Sequence, residues 1–353
     1  MSAARDSGAA DMTVCLLDPR TDAEPAAWRK FTRRLRLPPM WDFTLLRLEA
    51  WLAGNRPLLA LAWQDGEIVA AVTAVVCRHR GTRRYAPARA IGPLWAEIRV
   101  SWLSGAPAYA FAPDLDLAVR REFLRATETA LRRALGPGFL GVVYRTVAPA
   151  DLPLVAGRGR ITRPIEATAV LPNAWPDVDG WLASLGKERR RSIRRYARVI
   201  DRDPTVCVER GPAREDLEPS ELAALLNDHN DRLGVPAFAH RTKMAATYLG
   251  ALVRRPDVHT LTYRDAGGRL LAFNTFLDHP ETPVLHFWAA RPVSDGGRYN
   301  LYFDCYLRGV RHMIDHGRAE LAAGRGLLAV KASLGFELRP VSLVVVPRPV
   351  LGR

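Results

Sequence analysis

One pattern occurs twice in this chain and limits its fold more than any other feature. A helix, an apolar strand, an Asp-based turn and a second apolar strand read as WLAGNRPLLALAWQDGEIVAA from Trp51. The same order returns about 200 residues later as YLGALVRRPDVHTLTYRDAGGRLLAF from Tyr248. Asp65-Gly66 is a strong hairpin signal, because both central residues of the favoured two-residue turn need positive φ. Farther on, each copy places a helix before a short apolar segment: REFLRATETALRRALGPGFLGVVY from Arg121, and LYFDCYLRGVRHMIDHGRAELAAG from Leu301. A duplication of this kind folds as two like units. A length of 353 residues also suits two cores better than one. The expected class is α/β (α+β), with each unit a mixed, mostly antiparallel twisted sheet flanked by helices. The expected divisions are a disordered extension over 1–12, a first domain over 13–165 and a second over 166–353, the last including a basic helix at 181–200.

Apolar residues make up 48% and charged residues 25%, which places the chain among globular proteins. Its apolar runs end at charge or turn residues before reaching the length a bilayer requires. The first twelve residues lack the apolar stretch of a secretory signal, so the expected location is cytoplasmic. Cys15, Cys77, Cys207 and Cys305 stand singly and read as reduced thiols. No metal site is expected: His312 and His316 share a helix face but lack a third ligand, and read as exposed helix surface.

Fifty-one Lys and Arg against 37 Asp and Glu give a net charge of +14, which favours an anionic partner such as nucleic acid or a nucleotide-bearing donor. Heavy Arg usage with few Lys also follows from GC-rich coding, so charge alone does not assign one. Its distribution says more. In the 181–200 segment Leu182, Leu185, Ile193 and Ile200 recur at helical spacing, while Lys187, Arg189, Arg190, Arg191, Arg194, Arg195 and Arg198 crowd the remainder. Seven cations in twelve residues, opposed only by Glu188, make this a candidate tRNA or phosphate surface as well as a solvated face.

Two segments carry a family likeness. LGKERRRSIRR from Leu185, and GRYNLYFDCYLRGVRHMIDHGRAELAAGRGLLAVKASLGFELRPVSLVV from Gly297, resemble the Fem-type, peptidoglycan-recognition branch of the GNAT superfamily. The likeness covers about 179–346 and extends to the first half in outline, so it implies tandem GNAT-like domains. It also implies acyl transfer to an amine. Fem-type members take an amino acid from aminoacyl-tRNA and form a peptide bond on a peptidoglycan precursor, relatives act on small natural products, and other members use acyl-CoA. No bound cofactor is called for, since either donor is a co-substrate.

CoA-dependent members place a Gly-rich loop before the long C-terminal helix, where backbone N–H groups cradle the pyrophosphate. Here that stretch is ARPVSDGGRYNLYF, with Ser294 at the first Gly position and Asp295 beside the late Gly296-Gly297. The degraded signature favours aminoacyl-tRNA, although Gly296, Gly297 and Arg298 would still allow a nonstandard anion cradle.

Such a transfer needs stabilisation of a tetrahedral oxyanion and a proton for the leaving group. Lys331 interrupts an apolar segment, GLLAVKASLGF, expected as a strand, and matches the family's lysine near the donor ester. Tyr302 and Tyr306 lie four apart on the expected helix, and the family uses a tyrosine there to protonate the leaving group. Asp304 between them reads as a helix-dipole carboxylate. In HFWAAR, strand alternation sends His286 and Trp288 to one side, where the family's strand opens to admit the donor. Asn274 is polar in a central strand and needs partners. His240, in the loop GVPAFAHRT, is a further candidate substrate contact. Catalysis by Lys331, Tyr306 and Tyr302, with His286, Trp288, Asn274 and His240 binding substrate, competes with a different class of function. In that class the chain is a non-catalytic RNA-binding protein whose basic helix is the working surface.

Overall fold

Asp65 and Gly66 do take positive φ, 51° and 79°, so β2 (Pro57–Gln64) turns directly into β3 (Glu67–Arg78) with Gln64 opposite Glu67. The computed structural model describes residues 14–53, 56–78, 93–234 and 243–353. The extension at 1–12 and the loop holding His240 lie outside them. The chain divides into two compact units, one of residues 1–165 with Val341–Arg353 and one of Glu166–Pro340. The last thirteen residues thus leave the second unit, to which a single boundary at 166 would assign them.

In the first unit the sheet runs β1 (Val14–Leu17), β2, β3, β4 (Leu94–Ile98), β6 (Phe139–Val147) and then Val341–Pro347 of β13 (Glu337–Pro347), while β5 (Tyr109–Phe111) pairs with β3. All neighbours are antiparallel except β4 and β6, which are parallel. The helices are α1 (Trp28–Arg34), α2 (Phe43–Leu52), α3 (Leu117–Leu135) and α4 (Leu152–Val155). Asp42 caps α2 by accepting from the amides of Thr44 and Leu45.

In the second unit the order is β8 (Val206–Pro212), β9 (Val258–Asp265), β10 (Leu270–Leu277), β11 (Val284–Ala290), β12 (Glu320–Ala322) and β7 (Ile161–Pro172). Only β11 and β12 are parallel. Its helices are α5 (Val178–Ser184), α6 (Lys187–Arg202), α7 (Pro219–Arg232), α8 (Ala246–Val253), α9 (Leu301–Asp315) and α10 (Leu328–Ala332). Tyr306, Val310 and Met313 recur on α9 at helical spacing and are buried with Tyr263, Phe276 and Leu285 of the sheet. Each apolar side chain so buried contributes about 1.5–3 kcal/mol. Gly309 meets Leu285 where a Cβ would sit 3.0 Å from it, so α9 lies close on β11.

Two expectations change. The basic helix at 181–200 is two helices, because the chain is extended at Leu185 and Gly186 and restarts at Lys187. Lys331 lies in the short helix α10, where an apolar run too brief to show a period had read as strand.

Candidate functional site

The two parallel strands of the second unit barely touch. β11 and β12 share one paired position, Val284 with Ala322. From Leu285 onward β11 pairs with no strand on that side among the described residues, so a gap opens between the strands. β11 also carries a bulge, since Asn274 faces Trp288 whereas Phe276 faces Leu285. The bulge leaves the Phe287 backbone groups off the ladder. Two side chains of β10 take them up: Asn274 Nδ2 donates to the Phe287 carbonyl at 2.8 Å, and Thr275 Oγ1 accepts from the Phe287 amide at 3.0 Å. Asn274 has therefore found the partner its burial demands.

The bulge corrects the alternation expected for HFWAAR. Trp288 turns toward α9, edge-on to Tyr302 at 5.5 Å and to Tyr263 at 6.4 Å. His286 instead meets Thr275 Oγ1 at 3.1 Å, on the opposite face. The extra residue between them separates a pair that strict alternation would have kept together.

Lys331 sits just past the opening. Its side chain is 3% exposed, and Nζ donates to the carbonyl of Ala323, the residue following β12, at 2.5 Å. Burial lowers its pKa to about 8, opposed by the Glu166 carboxylate, which raises it. The turn after α10 is pinned from two sides: Trp181 Nε1 donates to Leu334 O at 3.1 Å, and the Phe336 amide to Lys331 O at 3.1 Å. Gly335 in that turn has φ +87°, a conformation L side chains rarely adopt. Phe336 packs edge-on against Tyr306 at 5.6 Å, which joins the lysine turn to α9.

Tyr302 and Tyr306 share a hydrogen bond at 3.0 Å between their hydroxyls. One bond uses one of two protons, so the pair retains a proton for another acceptor. Burial raises both phenol pKa values, most strongly for Tyr306, so the pair stays protonated at neutral pH. Asp304 does stand in the first turn of α9, and it is also bonded within the fold. It is 1% exposed, and Oδ2 accepts from Tyr263 Oη at 2.8 Å and from Arg308 Nε at 2.6 Å. The pairing with Arg308, four residues on, was readable from helical spacing; that with Tyr263, on another element, was not. Burial also raises the Cys77 thiol to about 12 and pushes Cys305 up further, which removes both as nucleophiles at neutral pH.

The loop from Arg291 to Asn300 is folded on itself. The amides of Asp295 and Gly297 donate to Pro292 O, and that of Gly296 to Val293 O. Asp295 is doubly paired, with Arg269 at 2.8 Å and Arg291 at 3.0 Å, which lowers its pKa. Its charge is thus balanced locally. Arg298 donates to Gly296 O and stands 3.9 Å from Asp203. On α6 Ile193 and Ile200 face inward, Arg194 pairs with the exposed Asp179, Arg189 lies over the Phe303 ring, and Arg195 lies over Tyr196. Arg190 donates to Ala183 O. Among the described residues, Lys187, Arg191 and Arg198 engage no carboxylate.

His312 is also corrected. It is 5% exposed, meets Asp278 Oδ1 at 3.1 Å and stacks on His316 at 4.1 Å, and burial beside Arg210 lowers its pKa to about 4. Among the described residues no three His, Cys, Asp or Glu are placed to hold a metal, and no helix is long and apolar enough to cross a membrane.

Residues 187–331 match the family described as acetyltransferase (GNAT) domain. No curated protein matches the chain by sequence. Among solved structures, L-PGS from Bacillus licheniformis is similar at 12% identity and TM-score 0.59, over 95% of this chain and 98% of that one. FemX gives 12% and 0.56, over 91% and 96%. A tandem GNAT protein from the clavulanic acid biosynthesis pathway gives 11% and 0.52, over 96% and 98%. At such identities the likeness is one of fold.

Proposed function

We propose that this chain, an acyltransferase whose residues 187–331 carry a GNAT domain, moves an aminoacyl group from aminoacyl-tRNA to an amine of a small molecule or peptide, such as a natural-product or cell-wall precursor. The observation that carries the reading is the opening between β11 and β12, with the buried ammonium of Lys331 beside its end. A cation that has given up water, and has one carbonyl in exchange, stabilises a developing oxyanion more strongly than a solvated one would.

The donor class rests on two supports. The Fem-type likeness of the Leu185–Arg195 and Gly297–Val345 segments points to an ester of tRNA. The amides of Asp295, Gly296 and Gly297 are occupied within their own loop, which leaves fewer donors for a pyrophosphate cradle than a CoA-dependent member presents. Lys187, Arg191 and Arg198 of α6 offer cations to an RNA backbone, with Arg190, Arg194 and Arg195 flanking them, whereas Arg189 lies on the Ile193 side over Phe303 and Arg298 stands near Asp203 at the end of the helix.

In this scheme the neutral acceptor amine attacks the ester carbonyl, and Lys331 holds the resulting oxyanion. As the carbon–oxygen bond to the tRNA ribose breaks, the Tyr302–Tyr306 pair supplies a proton to the departing oxygen. The amine gives up its surplus proton to solvent, and an amide results. Trp288 lines the approach beside Tyr302. The test is a reaction fed with amino acid, ATP, tRNA, its synthetase and an amine. Amide formation that stops on RNase treatment supports the reading, and activity that survives RNase rules out the tRNA donor.

A further inference from the structure

The first unit has a basic groove that the proposed chemistry does not use. It is an open cavity of about 810 Å³ along α3, floored by alanines of that helix and bounded by Val14 and Gly352. Arg121, Arg125 and Arg133 line it, with the exposed Glu122 as the one carboxylate on its wall. Among the described residues none of the three arginines makes an ion pair. The nearest buried carboxylate, Glu128, is occupied: Arg160 binds both its oxygens at 2.8 and 3.0 Å, Tyr144 Oη donates at 2.9 Å and the Gly352 amide at 2.9 Å. Arg121 Nε is shut off from solvent with no hydrogen-bond partner. Arg125 feels desolvation and the charges of Arg121 and Arg160, all lowering its pKa, against Glu128. Three like charges gathered around a cavity with one exposed carboxylate leave a net positive charge that an anion would offset.

The spacing indicates what kind of anion. At 1.5 Å rise per residue, Arg125 lies about 6 Å along the axis from Arg121, and Arg133 about 12 Å beyond that. A row about 18 Å long is too extended for one phosphate group. Since each strand of a duplex carries one phosphate per ~3.4 Å of helix axis, a row of that length calls for several phosphates in succession.

We propose that this groove binds the phosphodiester backbone of an RNA through Arg121, Arg125 and Arg133. That the nucleic acid is RNA rests on the donor reading above, whereas the groove and its polyanion chemistry do not.

The experiment measures binding of labelled, uncharged tRNA to the full chain by anisotropy across a range of NaCl. Three proteins are compared: the native chain, Arg121→Gln/Arg125→Gln/Arg133→Gln, and Lys187→Gln/Arg191→Gln/Arg198→Gln. Circular dichroism and melting confirm folding, and an Arg121→Lys/Arg125→Lys/Arg133→Lys variant restores the charge. Removing three phosphate contacts lowers the slope of log affinity against log salt by about 2–3. The expected result is that loss in the α3 glutamine variant, at least a tenfold weaker Kd, and recovery with lysine. An unchanged slope in a folded α3 variant overturns the proposal. Saturable one-to-one binding of inorganic tripolyphosphate that blocks tRNA also overturns it, by assigning the groove to a small polyanion. If the α6 variant alone loses slope, the groove falls and the donor reading stands. If the α3 variant loses slope while transfer survives RNase, the groove stands and the donor reading falls.

Discussion

The two units place the same kind of strand pair at the same point of their sheets and treat it differently. In the first, β4 and β6 run parallel across α3 and stay joined through Leu94–Phe139, Ala96–Val142, Glu97–Val143 and Ile98–Tyr144. In the second, β11 and β12 run parallel across α9 and meet only at Val284–Ala322. The helices differ in the same sense. The buried carboxylate of α3, Glu128, has both oxygens bonded, to Arg160, Tyr144 and the Gly352 amide. On α9, Asp304 keeps Oδ1 buried without a partner, and Tyr302 and Tyr306 satisfy only each other. One copy ties its buried carboxylate into a structural knot, and the other leaves its buried carboxylate partly bonded beside an opening. Unmade bonds next to a gap suit a site for chemistry better than a fully bonded carboxylate does.

Breaking the closed copy should affect stability and leave chemistry alone. Glu128→Ala strands the Arg160 guanidinium, whose side chain is 3% exposed, and removing one partner of a buried pair costs about 3–5 kcal/mol. Urea unfolding should show that loss while turnover per folded molecule is unchanged. A loss below about 1 kcal/mol would mean that Glu128 is not the support described. Breaking the open copy should do the reverse. Lys331→Met keeps the volume and removes the charge, and loss of one oxyanion donor costs about 10²–10³ in kcat. Since the Lys331 pKa lies at about 8, wild-type kcat should fall as pH rises through that value, and Lys331→Arg should move the alkaline limb upward. Unchanged kcat in the methionine variant would take Lys331 out of the mechanism.

Much of the duplicated fold was legible because its signals are local. Asp65-Gly66 specifies a hairpin by its own φ preferences, and the period of Tyr306, Val310 and Met313 specifies the buried face of α9. Of the candidate site, the adjacency of Tyr302 and Tyr306 followed from helical spacing. What was not legible depends on pairing between distant segments. No pattern around His286 announces the bulge, because the residues that satisfy it, Asn274 and Thr275, lie on another strand. Nor does GLLAVKASL reveal that Lys331 is helical and bonded to Ala323, since a five-residue helix is too short to show a period. His312 read as surface because its burial is caused by β9 and β10, not by its own helix.

That histidine separates the units by pH. Its pKa near 4 lies below the ordinary value of about 6.5, so the unfolded chain binds the proton more readily. Stability from neutral His312 is full above about pH 6.5 and is lost as pH falls toward 4. The second unit should therefore lose about 2–3 kcal/mol over that range. His312→Phe should flatten the decline in a pH series of urea melts, and an equally steep decline in the variant would place the sensitive group elsewhere.

The smallest expected effect tests why the open pair is open. The bulge at His286 and Phe287 brings Trp288 onto the α9 face, three residues after Leu285 on that same face. Asn274 secures it by donating to the Phe287 carbonyl. Asn274→Ala leaves that carbonyl unpaired, at a cost of about 1–2 kcal/mol. If the bulge served stability alone, the melting temperature would drop and kcat/KM of the folded fraction would stay level. If it aims Trp288 at the opening, KM should rise several-fold in protein that is still folded. A rise that Asn274→Gln fails to relieve fits the short reach of Nδ2 to Phe287. No rise at all would leave the splay of β11 from β12 to be explained by the brevity of β12, which spans only Glu320–Ala322.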